Sequence, residues 1–327
     1  MPKIRVAVIG LGKMGLLHAG ILSSMKDVQL VALCDQKKLL INLAKKVFKE
    51  KINVVNNIQA LTELNLNAVY ITTPIPSHYR IIESIYDNKI APNIFVEKTL
   101  SRHLDESKKI CLKANMGNGA NMVGYQKRYG VTFNEALKLL KQETIGELQN
   151  FKAYAYSSDF VGVPREQAAK IFASRGGVLR DLGSHAISLA LWYFGDLQIT
   201  KEESVNTKQS NGESVVFQAK AGNLEGFVEA SWCKEAYRMP EIGLSIEGRK
   251  GTLIVNDDKV EIKFNDGSLK RWFRQDLDDR VDFVLWAPEY FREDRHFIDC
   301  VLNVKVPNPN FDEAFKVDRI IEEVTTN

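Results

Sequence analysis

Two groupings of side chains carry the residue types that move protons and stabilise charge. The first is Glu97-Lys98, directly after the short apolar run Asn93-Ile-Phe-Val96. An ammonium group in a cleft needs an anionic or hydroxyl partner, because removing it from water is otherwise costly; on an ordinary strand the same lysine would simply be solvated. The second is Gly176-Gly-Val-Leu-Arg-Asp-Leu-Gly-Ser-His185, which runs into the apolar stretch Ala186 to Phe194. Asp181 and His185 are four apart, so a helix beginning near Asp181 projects both from one face. An Asp beside a His orients the imidazole and raises its basicity, which suits proton abstraction from an alcohol near neutral pH. From spacing alone, an N-cap Asp followed by a His in the first helical turn is the somewhat better fit.

The elements that must position these groups begin at Ile4-Arg-Val-Ala-Val-Ile-Gly-Leu-Gly-Lys-Met-Gly15. A β-branched run breaks at Gly10, and glycines recur at Gly12 and Gly15 as helical spacing begins, which predicts strand, tight turn and helix start. Gly10 permits the turn, Gly12 lets backbone amides approach a pyrophosphate, and Gly15 allows close helix–strand packing. Lys13 and Met14 then occupy the first turn of a helix whose positive end receives the phosphates. A second apolar strand, Val28 to Cys34, ends in Asp35, whose carboxylate can accept from both ribose hydroxyls and repels a 2′-phosphate. NAD is therefore the expected cofactor. Lys37 and Lys38, just past the acid, could meet a 2′-phosphate and leave NADP open.

Up to about residue 123, short apolar strands alternate with helical segments. That pattern predicts a doubly wound α/β domain, a parallel Rossmann sheet covered on both faces. Right-handed crossovers place every strand's C-terminal end on one edge, where such sheets bind ligands. The residues after those ends are therefore candidates for the cofactor site: Thr72, Thr73, Pro74 and His78, then Glu97 and Lys98. Beyond residue 124 the pattern turns to alternating strands with Gly and Asn turns, which predicts an α+β domain built on a large, mostly antiparallel open sheet over 124–327. A loop-and-helix insertion is expected over Val161 to Trp192. Two helices over about 288–324 are expected to pack back towards the first domain.

At 327 residues with 45% hydrophobic and 26% charged residues, the chain suits two globular domains. A net charge of +3 with no basic patch interleaved with aromatics gives no reason to expect nucleic acid. The first strand starts by Ile4 and no apolar run spans a bilayer, so a cytoplasmic protein without a membrane partner is expected. Cys34, Cys111, Cys233 and Cys300 lie far apart, which suggests reduced thiols and no zinc or other metal site.

In this order the motifs resemble the glucose–fructose oxidoreductase/inositol dehydrogenase/rhizopine catabolism (Gfo/Idh/MocA) family: a G-x-G-x-x-G with a following Asp, a Thr-Pro loop with His, a Glu-Lys at the fifth strand, and Asp-x-Gly-x-His in the second domain. The resemblance covers almost the whole chain. It implies an NAD(P)-dependent dehydrogenase or reductase acting on a CH–OH carbon of a sugar, polyol or sugar derivative. It further implies Lys98 as the lysine that hydrogen-bonds the substrate oxygen near the nicotinamide, His185 as general acid/base, and Asp181 as the residue orienting substrate or His185. Tyr125, Gln126 and Arg128 hold positions that in relatives line the cleft, Gln126 on the cofactor side and the other two with Arg180 on the substrate side. A homodimer or homotetramer through the second-domain sheet is also implied.

Three departures bear on substrate and turnover. Thr99 stands where the family usually has proline, Ser188 where many polyol-oxidising members carry a second Asp, and Arg180 where a small or apolar residue is common. Two other activities fit the same motifs, an NAD-dependent glycoside hydrolase of the family and a non-catalytic nicotinamide-binding regulator. The segment Ser157 to Ser174 is expected to help set specificity.

Overall fold

A computed structural model describes residues 3–48, 52–164, 166–168, 175–203, 214–283 and 285–326, with no side-chain description for 201–203. Part of the Ser157 to Ser174 segment, residues 165 and 169–174, thus lies outside the described residues. The chain divides into two compact units, Met1–Tyr125 with Val281–Asp318, and Gln126–Arg280 with Arg319–Asn327.

The first unit holds six parallel strands: β1 (Ile4–Ile9), β2 (Val28–Cys34), β3 (Asn53–Val55), β4 (Ala68–Ile71), β5 (Asn93–Glu97) and β6 (Asn121–Gly124). Their order is β3-β2-β1-β4-β5-β6, so the chain winds outward from β1 in both directions. Helices α1 (Lys13–Ser24), α2 (Lys38–Phe48), α3 (His78–Asp87) and α4 (Leu104–Ala114) form the crossovers. β1, β4 and β5 are apolar on both faces because both are covered: Val6, Ala7, Val8, Ala68, Val69, Ile94 and Phe95 have no solvent exposure. This is the Rossmann sheet that the alternating pattern predicts.

The second unit begins with α5 (Val131–Lys141) and is built on β7 (Leu148–Tyr156), after which comes α6 (Ser184–Phe194). The remaining strands are β8 (Gln198–Glu203), β9 (Ser214–Ala221), β10 (Leu224–Ser231), β11 (Glu241–Gly248), β12 (Gly251–Asn256), β13 (Lys259–Phe264) and β14 (Leu269–Phe273). The eight strands run β14-β13-β12-β11-β7-β10-β9-β8. All neighbours are antiparallel except β7 and β10, which pair in parallel from Asn150/Glu225 to Tyr156/Ser231. One face, with Ala153, Ala155, Val228, Ala230, Ile242 and Leu244, is buried beside α6. The chain ends with α7 (Glu289–Asn303) and α8 (Phe311–Thr326).

Two elements differ from the sequence expectation. Gln198-Ile-Thr-Lys-Glu-Glu203 forms the edge strand β8, although its composition is polar; an edge strand needs no second apolar face. A π-helical turn, Leu179–Gly183, precedes α6 where a plain helix start is predicted. Among the described residues, no helix is long and apolar enough to cross a membrane. Cys34, Cys111 and Cys300 are buried and all four cysteines are free thiols.

Candidate active site

The turn after β1 has the shape its glycines require. Gly10 sits at φ +96°, and a Cβ there would lie 2.8 Å from Thr73. A Cβ on Gly15 would lie 1.8 Å from the Gly10 carbonyl oxygen, so α1 crosses the turn at a separation only glycine allows. A Cβ on Gly12 meets nothing within 4 Å. Gly12 is also the N-cap of α1, which has no side-chain cap and no acid in its first turn. The first-turn amides of α1 thus have no side-chain cap, and the space beside Gly12 is open. Lys13 adds a cation there, its Nζ 5.7 Å from the ring centre of the exposed Trp286. These features fit a dinucleotide pyrophosphate.

Asp35 completes the cradle at the end of β2. Its Oδ2 accepts from the Leu11 amide and its Oδ1 from the Lys37 amide, both at 2.7 Å. The carboxylate is thereby turned against the glycine turn, and each oxygen keeps a further lone pair for a ribose hydroxyl.

Thr72, Thr73 and Pro74 follow β4, next to β1 in the sheet. Thr72 Oγ1 donates to the carbonyls of Gly10 and Ile9 at 2.7 and 3.1 Å, which locks this loop onto the glycine turn. Ser77 Oγ donates to Thr73 Oγ1 at 2.8 Å. His78 is fully buried at the start of α3, with Nε2 2.8 Å from the Thr73 carbonyl and Nδ1 2.9 Å from the Thr99 carbonyl. Burial lowers its pKa against the opposing pull of those carbonyls. His78 therefore ties the β4 loop to the segment after Lys98.

Glu97 is the last residue of β5, and its Oε2 accepts from the Lys98 amide at 3.2 Å. Lys98 itself is half-buried, on the same sheet edge as Gly10 and Asp35. Behind Glu97 lies a cluster that the sequence alone does not announce. His18, fully buried on α1, places Nδ1 2.8 and 2.9 Å from the two oxygens of Asp294 and Nε2 3.1 Å from Glu97 Oε1. Burial alone would lower the His18 pKa, yet Asp294 and then Glu97 raise it well above 6.5. Glu293, next to Asp294 on α7, is also fully buried. Burial, reinforced by the Glu97 charge, raises its pKa well above the carboxylate range and keeps it neutral. The available signal was a histidine on the buried face of α1, three residues after Gly15.

In the second unit, Asp181 lies in the π-helical turn and His185 in the first turn of α6. The wider turn changes the predicted setting, since a π turn does not stack residues four apart as an α-helix does. Asp181 is half-buried and its Oδ2 accepts from Arg175 Nη1 at 3.2 Å. His185 and Arg180 are buried. Arg128 is buried in the 3₁₀ turn Gln126–Tyr129, where it donates from Nε to Ser188 Oγ at 2.9 Å and from Nη2 to the Ser188 carbonyl at 3.1 Å. Tyr125, which ends the first unit's opening segment, and Gln126 are buried as well.

Comparison with known proteins agrees with this geometry. Residues 4–125 match the GFO/IDH/MocA oxidoreductase family, NAD-binding Rossmann fold, and residues 133–254 match the GFO/IDH/MocA C-terminal domain. The chain is 25% identical over 320 residues to scyllo-inositol 2-dehydrogenase (NAD(+)) of Bacillus subtilis, covering 93% of this chain and 88% of that protein. It is 24% identical to inositol 2-dehydrogenase of Rhizobium meliloti, covering 81% and 80% respectively. In structure it is similar to levoglucosan dehydrogenase in complex with NADH, with a TM-score of 0.82 at 19% identity over 99% of this chain and 96% of that one. The WlbA dehydrogenase of Bordetella pertussis, in complex with NADH and UDP-GlcNAcA, also superimposes with a TM-score of 0.82, at 16% identity over 99% and 95%. The glycine turn, Asp35 and the two matched domains make this chain a member of the Gfo/Idh/MocA oxidoreductase family, with an NAD-binding Rossmann domain.

Proposed function

We propose that the protein is an NAD-dependent dehydrogenase that moves a hydride between nicotinamide and a secondary alcohol or ketone carbon of a sugar, polyol or sugar derivative. The observation that carries this reading is the shared sheet edge of the first unit, where the glycine turn, Asp35 and Lys98 stand together. Inositol dehydrogenases among the relatives support the substrate class. Bound NAD supplies the hydride acceptor, and NADH the donor in the reverse direction. Gly10, Gly12, Lys13, Met14 and Gly15 hold the pyrophosphate, Asp35 the adenosine ribose, and Thr72, Thr73, Pro74, Glu97 and Gln126 line the remainder of the dinucleotide site. Lys98 stabilises charge that develops on the reacting oxygen. His185 takes the hydroxyl proton or returns it, Asp181 orients that exchange, and Tyr125, Arg128 and Arg180 contribute to substrate selection.

The deciding experiment is NADH formation across a panel of inositols, aldoses and sugar acids, run with NAD and NADP. Turnover with NAD on at least one of them is expected, and Lys98→Met should lower kcat about 10²–10³-fold. Turnover at the wild-type rate in Lys98→Met would overturn the assignment, as would NAD binding without activity across the panel. Self-association through the second-unit sheet is part of the proposal. The sheet face away from α6 carries Lys152, Tyr154, Tyr156 and Glu229, with the Tyr154 and Tyr156 rings stacked at 4.8 Å. Light scattering should give a dimer or tetramer mass; a monomer mass would refute that part.

A further inference from the structure

His18 connects three elements of the first unit. It projects from α1, the helix that begins at the phosphate cradle. Its Nδ1 reaches both Asp294 oxygens, at 2.8 and 2.9 Å, on α7, and its Nε2 reaches Glu97 Oε1 at 3.1 Å, at the end of β5. Carboxylates only accept, so both ring nitrogens must donate. The other Glu97 oxygen accepts from the Lys98 amide. The linkage Asp294–His18–Glu97–Lys98 amide is thus continuous, each step at 3.2 Å or less. His18 and Asp294 are fully buried, so water does not compete for the bond between them. The Tyr70 and Phe95 rings, 5.6 and 5.1 Å from the imidazole, and Tyr290 at 6.1 Å wall it in and fix its plane.

We propose that His18 is a positioning residue for Lys98: held by Asp294, it clamps the Glu97 carboxylate, and through it the Lys98 backbone, at a fixed distance from the dinucleotide-binding helix. The proposal rests on the role given to Lys98 in the proposed reaction. It accounts for how Lys98 is aimed in a chain that has Thr99 after it and therefore lacks the φ restriction that a proline would impose at that position.

The test compares wild type with His18→Asn and Asp294→Asn, each first shown to be folded by its circular dichroism melt. NAD affinity is measured by calorimetry, turnover by NADH formation, and Lys98 placement by competitive acetylation of its amine, quantified by mass spectrometry against Lys220 in the same sample. In both variants kcat should fall by about 10²-fold, the cost of misplacing a catalytic group by about an ångström, with NAD affinity retained. The Lys98-to-Lys220 labelling ratio should change in both. A His18 that merely stabilises α1 would instead weaken NAD binding and leave the ratio alone, and that result overturns the proposal, as does wild-type kcat in either folded variant. If neither folds, Glu97→Gln, which keeps the ring and its Asp294 bond, must show the same labelling change or the proposal fails. Labelling needs no turnover, so an absence of dehydrogenase activity would sink the reaction assigned above and still leave the positioning of Lys98 tested on its own.

Discussion

Arg128 embraces Ser188, donating from Nε to its hydroxyl at 2.9 Å and from Nη2 to its carbonyl at 3.1 Å, with both residues buried. The Ser188 hydroxyl is therefore already engaged by the chain's own guanidinium. Ser188→Ala removes one acceptor from a buried cation, which should cost about 1.5–3 kcal/mol. Urea unfolding followed by circular dichroism should show the loss. An unchanged midpoint would mean that the hydroxyl bond contributes nothing.

Gly12 and Gly15 separate cofactor binding from folding. At Gly15 an added methyl would sit 1.8 Å from a backbone oxygen that cannot move aside, so Gly15→Ala should lose about 1–3 kcal/mol of stability or more, and NAD binding with it. At Gly12 the same methyl meets nothing within 4 Å. Gly12→Ala should therefore melt like wild type while binding NAD at least about tenfold more weakly, because the methyl stands where backbone amides must approach the phosphates. Calorimetry and a thermal melt on the two variants check both halves. A Gly12→Ala protein with wild-type NAD affinity would place the phosphates elsewhere.

These local features were legible because they are short in sequence: the glycine spacing, the strand ending in Asp35 and the alternation of strand with helix all lie within about 30 residues, the span of one βαβ unit. The His18 cluster was not legible for the opposite reason. His18 and Asp294 are 276 residues apart, and only the return of the chain through α7 brings them together. The parallel pairing of β7 with β10 was hidden in the same way, since an alternating strand pattern does not say which neighbour it joins or in which direction. The π turn at Leu179–Gly183 left no mark in a segment rich in glycine, and β8 was masked by its polar edge composition. Ser188 was readable as a change of residue type, whereas its bond to Arg128 depends on how the 3₁₀ turn and α6 pack.

Glu293 is a carboxyl without exposure whose two oxygens find no hydrogen-bond partner among the described residues, and burial keeps it protonated. An unpartnered buried acid costs free energy that an apolar side chain would not. Glu293→Leu should raise stability by about 1 kcal/mol. Calorimetric melts at neutral pH measure this. A destabilised variant would show that the carboxyl contributes a contact that the packing does not reveal.

The open sheet face of the second unit contains a charge whose effect on stability has a definite sign. Burial alone would raise the Glu229 pKa, but Lys152 at 2.6 Å, Lys234 at 2.8 Å and the Tyr156 hydroxyl hold it down at about 2, against an ordinary value of 4.5. A carboxyl depressed in the folded state stabilises the fold above its unfolded pKa and ceases to do so as pH falls towards the folded value. The contribution is therefore complete above pH 4.5 and lost between there and about pH 2. Glu229→Gln removes that titration, so its melting temperature should fall less steeply than that of wild type across this window, from a lower starting point at neutral pH. Melts at a series of pH values test the slope directly. Equal slopes in the two proteins would mean that Lys152 and Lys234 lie in solvent and do not act on Glu229.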